Sequence, residues 1–136
     1  MNANELMIGD WVLNKNINKP MKLYPMMFSQ MFRQNPNATT EDYNIYPIPL
    51  TAEILEKNGW RKYNNKSWLM FRDGCDELNI LLGDNYTEIE YLNMIYNPED
   101  NAEVNYGSSF GFPRIIFVHE LQHIIRMFEI EKEIKL

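Results

Sequence analysis

The sequence predicts an α+β fold: a largely antiparallel meander or small barrel-like sheet, with a short central helix and a long C-terminal amphipathic helix. Three observations lead there. Between Trp60 and Tyr96, short runs of aromatic and aliphatic residues alternate with turn residues, as in consecutive antiparallel strands. Thr51 to Gly59 carries a helix start and a helix stop within about two turns. From Pro113 onward, apolar residues recur at the helical period rather than the strand period.

Glu5 to Leu13 reads as a first strand broken at Gly9-Asp10, where glycine allows a bulge or a tight bend. Residues 14–50 are less legible, because Pro20, Pro25, Pro36, Pro47 and Pro49 interrupt them. Met26, Met27, Phe28, Met31 and Phe32 suit either a short helix or an irregular strand. Methionine bends to fill uneven core space, which is the expected use of this cluster. Asn35-Pro36-Asn37 predicts a surface turn.

In the central helix, Thr51 is placed to accept an early amide N–H and Glu53 suits the positive end of the helix. Gly59 can take the left-handed conformation that closes it. So short a helix cannot stand alone, and Ile54 and Leu55 must dock it on something larger. Strands follow at Trp60 to Tyr63, Ser67 to Arg72, Glu77 to Leu82 and Thr87 to Tyr96. Turns at Asn64-Asn65-Lys66, Asp73-Gly74 and Gly83-Asp84-Asn85 separate them. Trp68 and Met70 point to one face, Leu69 and Phe71 to the other, so this strand is expected to be partly covered on both. Asn97-Pro98-Glu99-Asp100 ends the last strand, and Asn101 to Gly111 reads as a loop or a weak extra strand. The closing helix is expected from Pro113 to about Glu131. Phe117, Leu121, Ile124, Ile125 and Phe128 form its apolar stripe, roughly 100° wide. No repeat or linker is visible, and residues 1–136 are expected to form a single domain.

Composition narrows the function. An apolar fraction of 45% with three Trp, eight Tyr and seven Phe supports a packed core rather than disorder. A net charge of -6, with scattered basic residues, argues against a general grip on nucleic-acid phosphates. Cys75 is the only cysteine, which excludes an intrachain disulfide and a thiolate zinc cluster and fits the cytoplasm. No basic leader and no apolar run of about 20 residues is present, so neither export nor membrane insertion is expected.

His119-Glu120-Leu121-Gln122-His123 has the spacing that holds zinc in many metallopeptidases. Two imidazoles at i and i+4 can share an ion, and the glutamate can take a proton from metal-bound water. Other features oppose that use. Helical projection turns both histidines about 160° from the centre of the apolar stripe, onto a surface side shared with Arg126. A guanidinium there repels a metal. The longer zinc signature expects a glycine where Arg126 stands and a third ligand where Glu129 stands. On a continuous helix Glu129 is turned about 120° from His123. Asp84, Asp100 and Glu103 upstream, and Glu131 and Glu133 downstream, have no spacing that singles one out. The pair therefore reads as surface or interface histidines, with no metal, cofactor or catalytic role. The alternative is a zinc-dependent hydrolase with His119 and His123 as ligands and Glu120 as general base. Cys75 with His119 is a weaker candidate pair for nucleophilic chemistry. Trp11, Trp60 and Trp68 could stack on bases, but core packing accounts better for most aromatic residues here.

Three segments taken together resemble a family of small uncharacterised proteins encoded in gut Bacteroidetes genomes and in their phages and mobile elements. They are Asn4-Glu5-Leu6-Met7-Ile8-Gly9-Asp10-Trp11-Val12, Ile48-Pro49-Leu50-Thr51 leading to Gly59-Trp60, and Val118-His119-Glu120-Leu121-Gln122-His123. They span most of the chain in the same order, each being short. The resemblance implies an extended first part and a terminal amphipathic helix, and it brings no activity. In the family pattern the position of His119 is histidine, while glutamine and asparagine are common where Glu120 and His123 stand. It thus implies that the zinc spacing arose by chance on a packing helix, and it leaves room for His119 in a fixed structural hydrogen bond.

The reading that follows is a bacterial, cytoplasmic, non-enzymatic accessory or protein-interaction domain. Its expected partner is an unknown protein or a second copy of the chain, met through an open sheet edge or the Met/Phe-rich segment at residues 26–32. Zinc hydrolysis and nucleic-acid binding through an N-terminal small barrel are the alternatives.

Overall fold

Strand pairing begins only at Trp11, because Gly9 bends the chain with a φ of +90° just before it. The computed structural model describes residues 5–34, 37, 39–63, 67–97 and 102–136. The expected turns at Asn35-Pro36, Asn64-Asn65-Lys66 and Pro98-Glu99-Asp100 lie outside the described residues. Contacts group the chain into two compact units, Met1–Pro49 with Phe117–Met127, and Leu50–Ile116 with Phe128–Leu136.

In the first unit, β1 (Trp11–Asn14) pairs antiparallel with β2 (Lys19–Lys22) on one side and β3 (Ile45–Tyr46) on the other. The order β2-β1-β3 leaves an open sheet, so the barrel-like option does not form. The Met/Phe-rich segment resolves as a helix, α1 (Pro25–Gln34). Proline suits its first position, where the missing N–H would have had no helical partner. Met31 is buried in a core with Leu6, Val12, Leu23 and Ile45, and Met21, Met27, Phe28 and Tyr43 pack against it. Met26 points outward instead.

The closing helix of this unit, α3 (Val118–Met127), is shorter than the periodicity predicts. It starts late because the chain before it is held extended. Pro49 and Phe117 form an antiparallel bridge, and the Val118 N–H donates to the Ile48 carbonyl at 2.8 Å. Beyond its far end, Glu129 takes a left-handed φ of 55°, which no helix continues through.

The second unit is a five-stranded meander in the order β4-β5-β6-β7-β8. Its strands are β4 (Arg61–Lys62), β5 (Trp68–Asp73), β6 (Asp76–Leu82), β7 (Thr87–Asn97) and β8 (Ala102–Phe112). The open, antiparallel arrangement agrees with the predicted meander. The β5–β6 hairpin forms, but its loop is Gly74-Cys75 rather than Asp73-Gly74, since Asp73 pairs with Asp76. Gly74, at φ +60°, holds the first central position, as in a type II′ turn. The stretch read as a loop or weak strand is β8, paired with β7 along all 11 of its residues. Glycine and serine disguise it, because both are poor strand formers. Gly107 is nonetheless required, since a Cβ there would lie 2.6 Å from the Leu92 side chain and 2.8 Å from the Tyr91 carbonyl.

The register gathers Leu69, Leu78, Ile80 and Ile89 on one face of this sheet, all buried. The helix α2 (Ala52–Lys57) forms as predicted, with Thr51 Oγ1 accepting the Ile54 N–H at 3.3 Å and Gly59 at φ +96° closing it. Its Leu55 is buried, and Trp60 donates its indole N–H to the Leu78 carbonyl at 3.1 Å. Asn58 then ties down the last residues of the chain. Its side chain donates to the Lys135 and Ile54 carbonyls at 2.7 and 2.8 Å and accepts the Lys135 N–H at 2.7 Å. Asn58→Ala should therefore lower unfolding stability by about 2 kcal/mol, since buried groups lose their partners. Urea denaturation of the two proteins measures it, and an unchanged midpoint contradicts the anchoring role.

Candidate functional site

A carboxylate with no solvent exposure organises the N-terminal turn. Asp10 is 0% exposed, and a buried charge persists only when donors replace its water. Three do so here. The Met7 N–H donates to Oδ2 at 2.7 Å, His123 Nε2 donates to the same oxygen at 2.7 Å, and Arg126 Nη1 donates to Oδ1 at 3.0 Å. The first donor comes from the turn itself, closed also by the Asp10 N–H on the Met7 carbonyl at 3.1 Å. The others come from α3, where the i, i+3 spacing sets His123 and Arg126 on one side.

Gln122, one residue earlier on the helix, acts like a piece of neighbouring strand. Its Oε1 accepts the Trp11 N–H at 2.9 Å and its Nε2 donates to the Gly9 carbonyl at 3.2 Å. Gly9 is glycine for its φ of +90°, since a Cβ there would meet Arg126 Nη2 at 3.6 Å, an ordinary contact. On its other side the turn pairs with Leu23, through Gly9 N–H to the Leu23 carbonyl at 2.8 Å and Leu23 N–H to the Asp10 carbonyl at 2.9 Å.

The two histidines of the motif are unlike each other. His123 keeps a side-chain exposure of 27%, whereas His119 is 1% exposed. The expected surface position of His119 is thus corrected. The turn around Asp10 joins the polar side of α3, so burial extends beyond the apolar stripe to His119 and Gln122. The His119 ring stacks on Phe117 with centroids 5.8 Å apart and meets His123 edge-on at 5.7 Å. Its Nδ1 is buried and has no hydrogen-bond partner among the described residues. Burial pushes the His119 imidazole below its ordinary value. The Asp10 and Glu120 carboxylates oppose that shift, and His123 adds to it.

Glu120 occupies the third helical position and accepts the Phe117 N–H on Oε2 at 2.7 Å. This is the reciprocal half of a capping box and turns the carboxylate toward its own helix start. The donor set around the motif does not fit zinc. His123 and Arg126 share one carboxylate, and a cation there would lie against a guanidinium. Among the described residues no group of three or more His, Cys, Asp or Glu could hold a metal ion. Glu129 lies past the helix end and is exposed, as are Asp84, Glu131 and Glu133. Asp100 and the side chain of Glu103 lie outside the described residues. Cys75 is exposed at a hairpin tip, in a different unit from His119. With Arg126 on its second oxygen, Asp10 accepts from three donors.

Asp10 and Gln122 are the members of this site that sequence reasoning missed. The only local signal for Asp10 is its place after Gly9 before a strand, which marks a bend and nothing more. No family model, curated protein or solved structure matches the chain. Among the described residues no helix is long and apolar enough to cross a membrane.

Two outcomes follow for stability. Asp10→Asn removes the charge that the Arg126 guanidinium faces and puts a donor among donors, so it should cost about 3 kcal/mol in a urea titration. The second concerns acid. His119 has a lowered value in the folded state, so the unfolded chain binds the proton first as pH falls. Its contribution is complete above the ordinary value of 6.5 and declines below it. Urea midpoints taken from about pH 7.5 to about pH 5.5 should fall in the native protein and fall less in His119→Leu. Equal slopes for the two contradict this assignment.

Proposed function

We propose that this chain is an accessory protein-interaction domain of the bacterial cytoplasm, in which the HELQH segment is an internal clamp rather than a metal centre. One observation carries the reading. Glu120, Gln122 and His123 each bond within the chain, to Phe117, to Gly9 and Trp11, and to Asp10 respectively. Side chains committed to holding a turn are poorly placed for turnover.

The turn they hold supports the rest. Met7 and Ile8 are 51% and 53% exposed, Tyr24 and Met26 are 48% and 69% exposed, and the Gly9–Leu23 pairing joins the two backbone segments that carry them. Apolar side chains displayed together on a stiff support suit a docking patch. The patch includes the start of the Met/Phe-rich segment. The buried members of that segment support it from within, so the outward ones are presented without strain on the core.

The test compares native protein with the Ile8→Lys, Met26→Lys double variant as bait, with sedimentation equilibrium to detect self-association. The native chain should retain a stoichiometric partner or self-associate, and the variant should lose that property while keeping its urea midpoint. Indistinguishable behaviour of the two contradicts the proposal. So does stoichiometric zinc in untagged protein that disappears in His119→Ala and His123→Ala.

A further inference from the structure

In the five-stranded sheet, the buried row of Leu69, Leu78, Ile80 and Ile89 occupies one face, and alternation sends their neighbours to the other. There the register aligns Met70, Asn79, Glu90 and Ser109 across four strands, flanked by the rows containing Trp68 and Glu77. A groove of about 250 Å³ opens among Tyr63, Trp68, Glu77, Asn79, Glu90 and Leu92. Tyr63 is set beside Trp68 by a backbone bond from the Tyr63 N–H to the Trp68 carbonyl at 3.0 Å.

Two acceptors on this face have no donor, one covered by the protein and one open to the groove. Asn79 donates its Nδ2 to Glu77 Oε1 at 2.9 Å, which fixes the amide orientation, since reversing it would press Oδ1 against that carboxylate. Asn79 Oδ1 is thereby buried with no hydrogen-bond partner. Its direct cross-strand neighbour is Glu90, half-buried and without a hydrogen bond or ion pair among the described residues. Positive charge is present on the same face: Arg72 stands opposite Glu77, and Arg61 opposite Met70. Neither arginine pairs with Glu90 among the described residues.

We propose that this groove receives a guanidinium group, presented on an arginine-bearing segment of a partner protein. The chemistry converges on that ion. A planar cation can lie along the Trp68 ring while its fork of N–H donors meets both oxygens of the Glu90 carboxylate. An ammonium is a compact point charge that cannot stack flat and make both bonds at once. Phosphate is disfavoured by the two carboxylates and by the net charge of -6. The site gives the interaction reading a partner chemistry, but it uses none of the side chains of the Ile8–Met26 patch, so either can fail alone.

The test is NMR titration of the full chain with a short Gly-Ser peptide carrying arginine, beside a lysine counterpart and free arginine amide. The arginine peptide should shift the Trp68 indole and Asn79 side-chain amide signals. Glu90→Gln should weaken binding about tenfold, with an unchanged urea midpoint, and Trp68→Leu should weaken it similarly. Glu88→Gln removes the same charge from an exposed site on the same face, outside the groove, and should bind as the native chain does. Equal losses in Glu88→Gln and Glu90→Gln would mean general attraction to an acidic surface and overturn the proposal. Equal affinity for the lysine peptide overturns the guanidinium assignment, and equal affinity for free arginine amide overturns the partner segment.

Discussion

A single buried carboxylate sets the arrangement of the first unit. Asp10 has no contact with water, so its charge must be balanced by donors that the fold brings to it. One comes from its own turn; the others come from a helix 113 and 116 positions later in the chain. That demand explains why the polar side of α3 is partly buried, at His119 and Gln122. It also explains Gly9, whose φ allows the bend that aims Asp10 inward. Gln122 completes the junction by occupying the backbone groups at the start of β1.

The zinc-like spacing of α3 and its structural use have a common geometric origin. Residues one turn apart project to one side of a helix, which lets two imidazoles share an ion or lets a histidine and an arginine share a carboxylate. The decision between these rests on what lies opposite. Here it is an anion already supplied with donors, and Glu120 is drawn to the amide at its own helix start. His119 remains as a buried ring against Phe117 and His123, where burial weakens its hold on a second proton.

The second unit separates its two sheet faces by chemistry. One carries the aliphatic row on which the unit's core is built, with Trp60 satisfied through its indole N–H. The other mixes aromatic rings with carboxylates and an amide whose orientation is fixed by one of them. Sheet stability does not require that second pattern. It holds Glu77 and Asn79 bonded to each other beside a half-buried Glu90. Close pairing of β7 with β8 depends in turn on Gly107, since any side chain there would strike Leu92 and the Tyr91 carbonyl.

Elements specified by neighbouring residues were legible in the chain itself. Thr51 and Gly59 bound α2 through bonds and dihedrals within a few positions, and Gly74 announces a hairpin because few residues accept its φ. The α+β class and the antiparallel meander follow from the same local signals, repeated along the sequence. What tertiary structure alone decided involves partners far away in sequence. Periodicity left the Met/Phe-rich segment between helix and strand, and the core around Met31 resolved it as a helix. β8 hid behind glycines whose purpose is visible only beside β7. Periodicity reports the apolar face of a helix and is silent on whether the polar face meets water or a buried Asp10. His119 was misplaced for that reason: the donors and the carboxylate lie over a hundred residues apart, and only folding makes them neighbours.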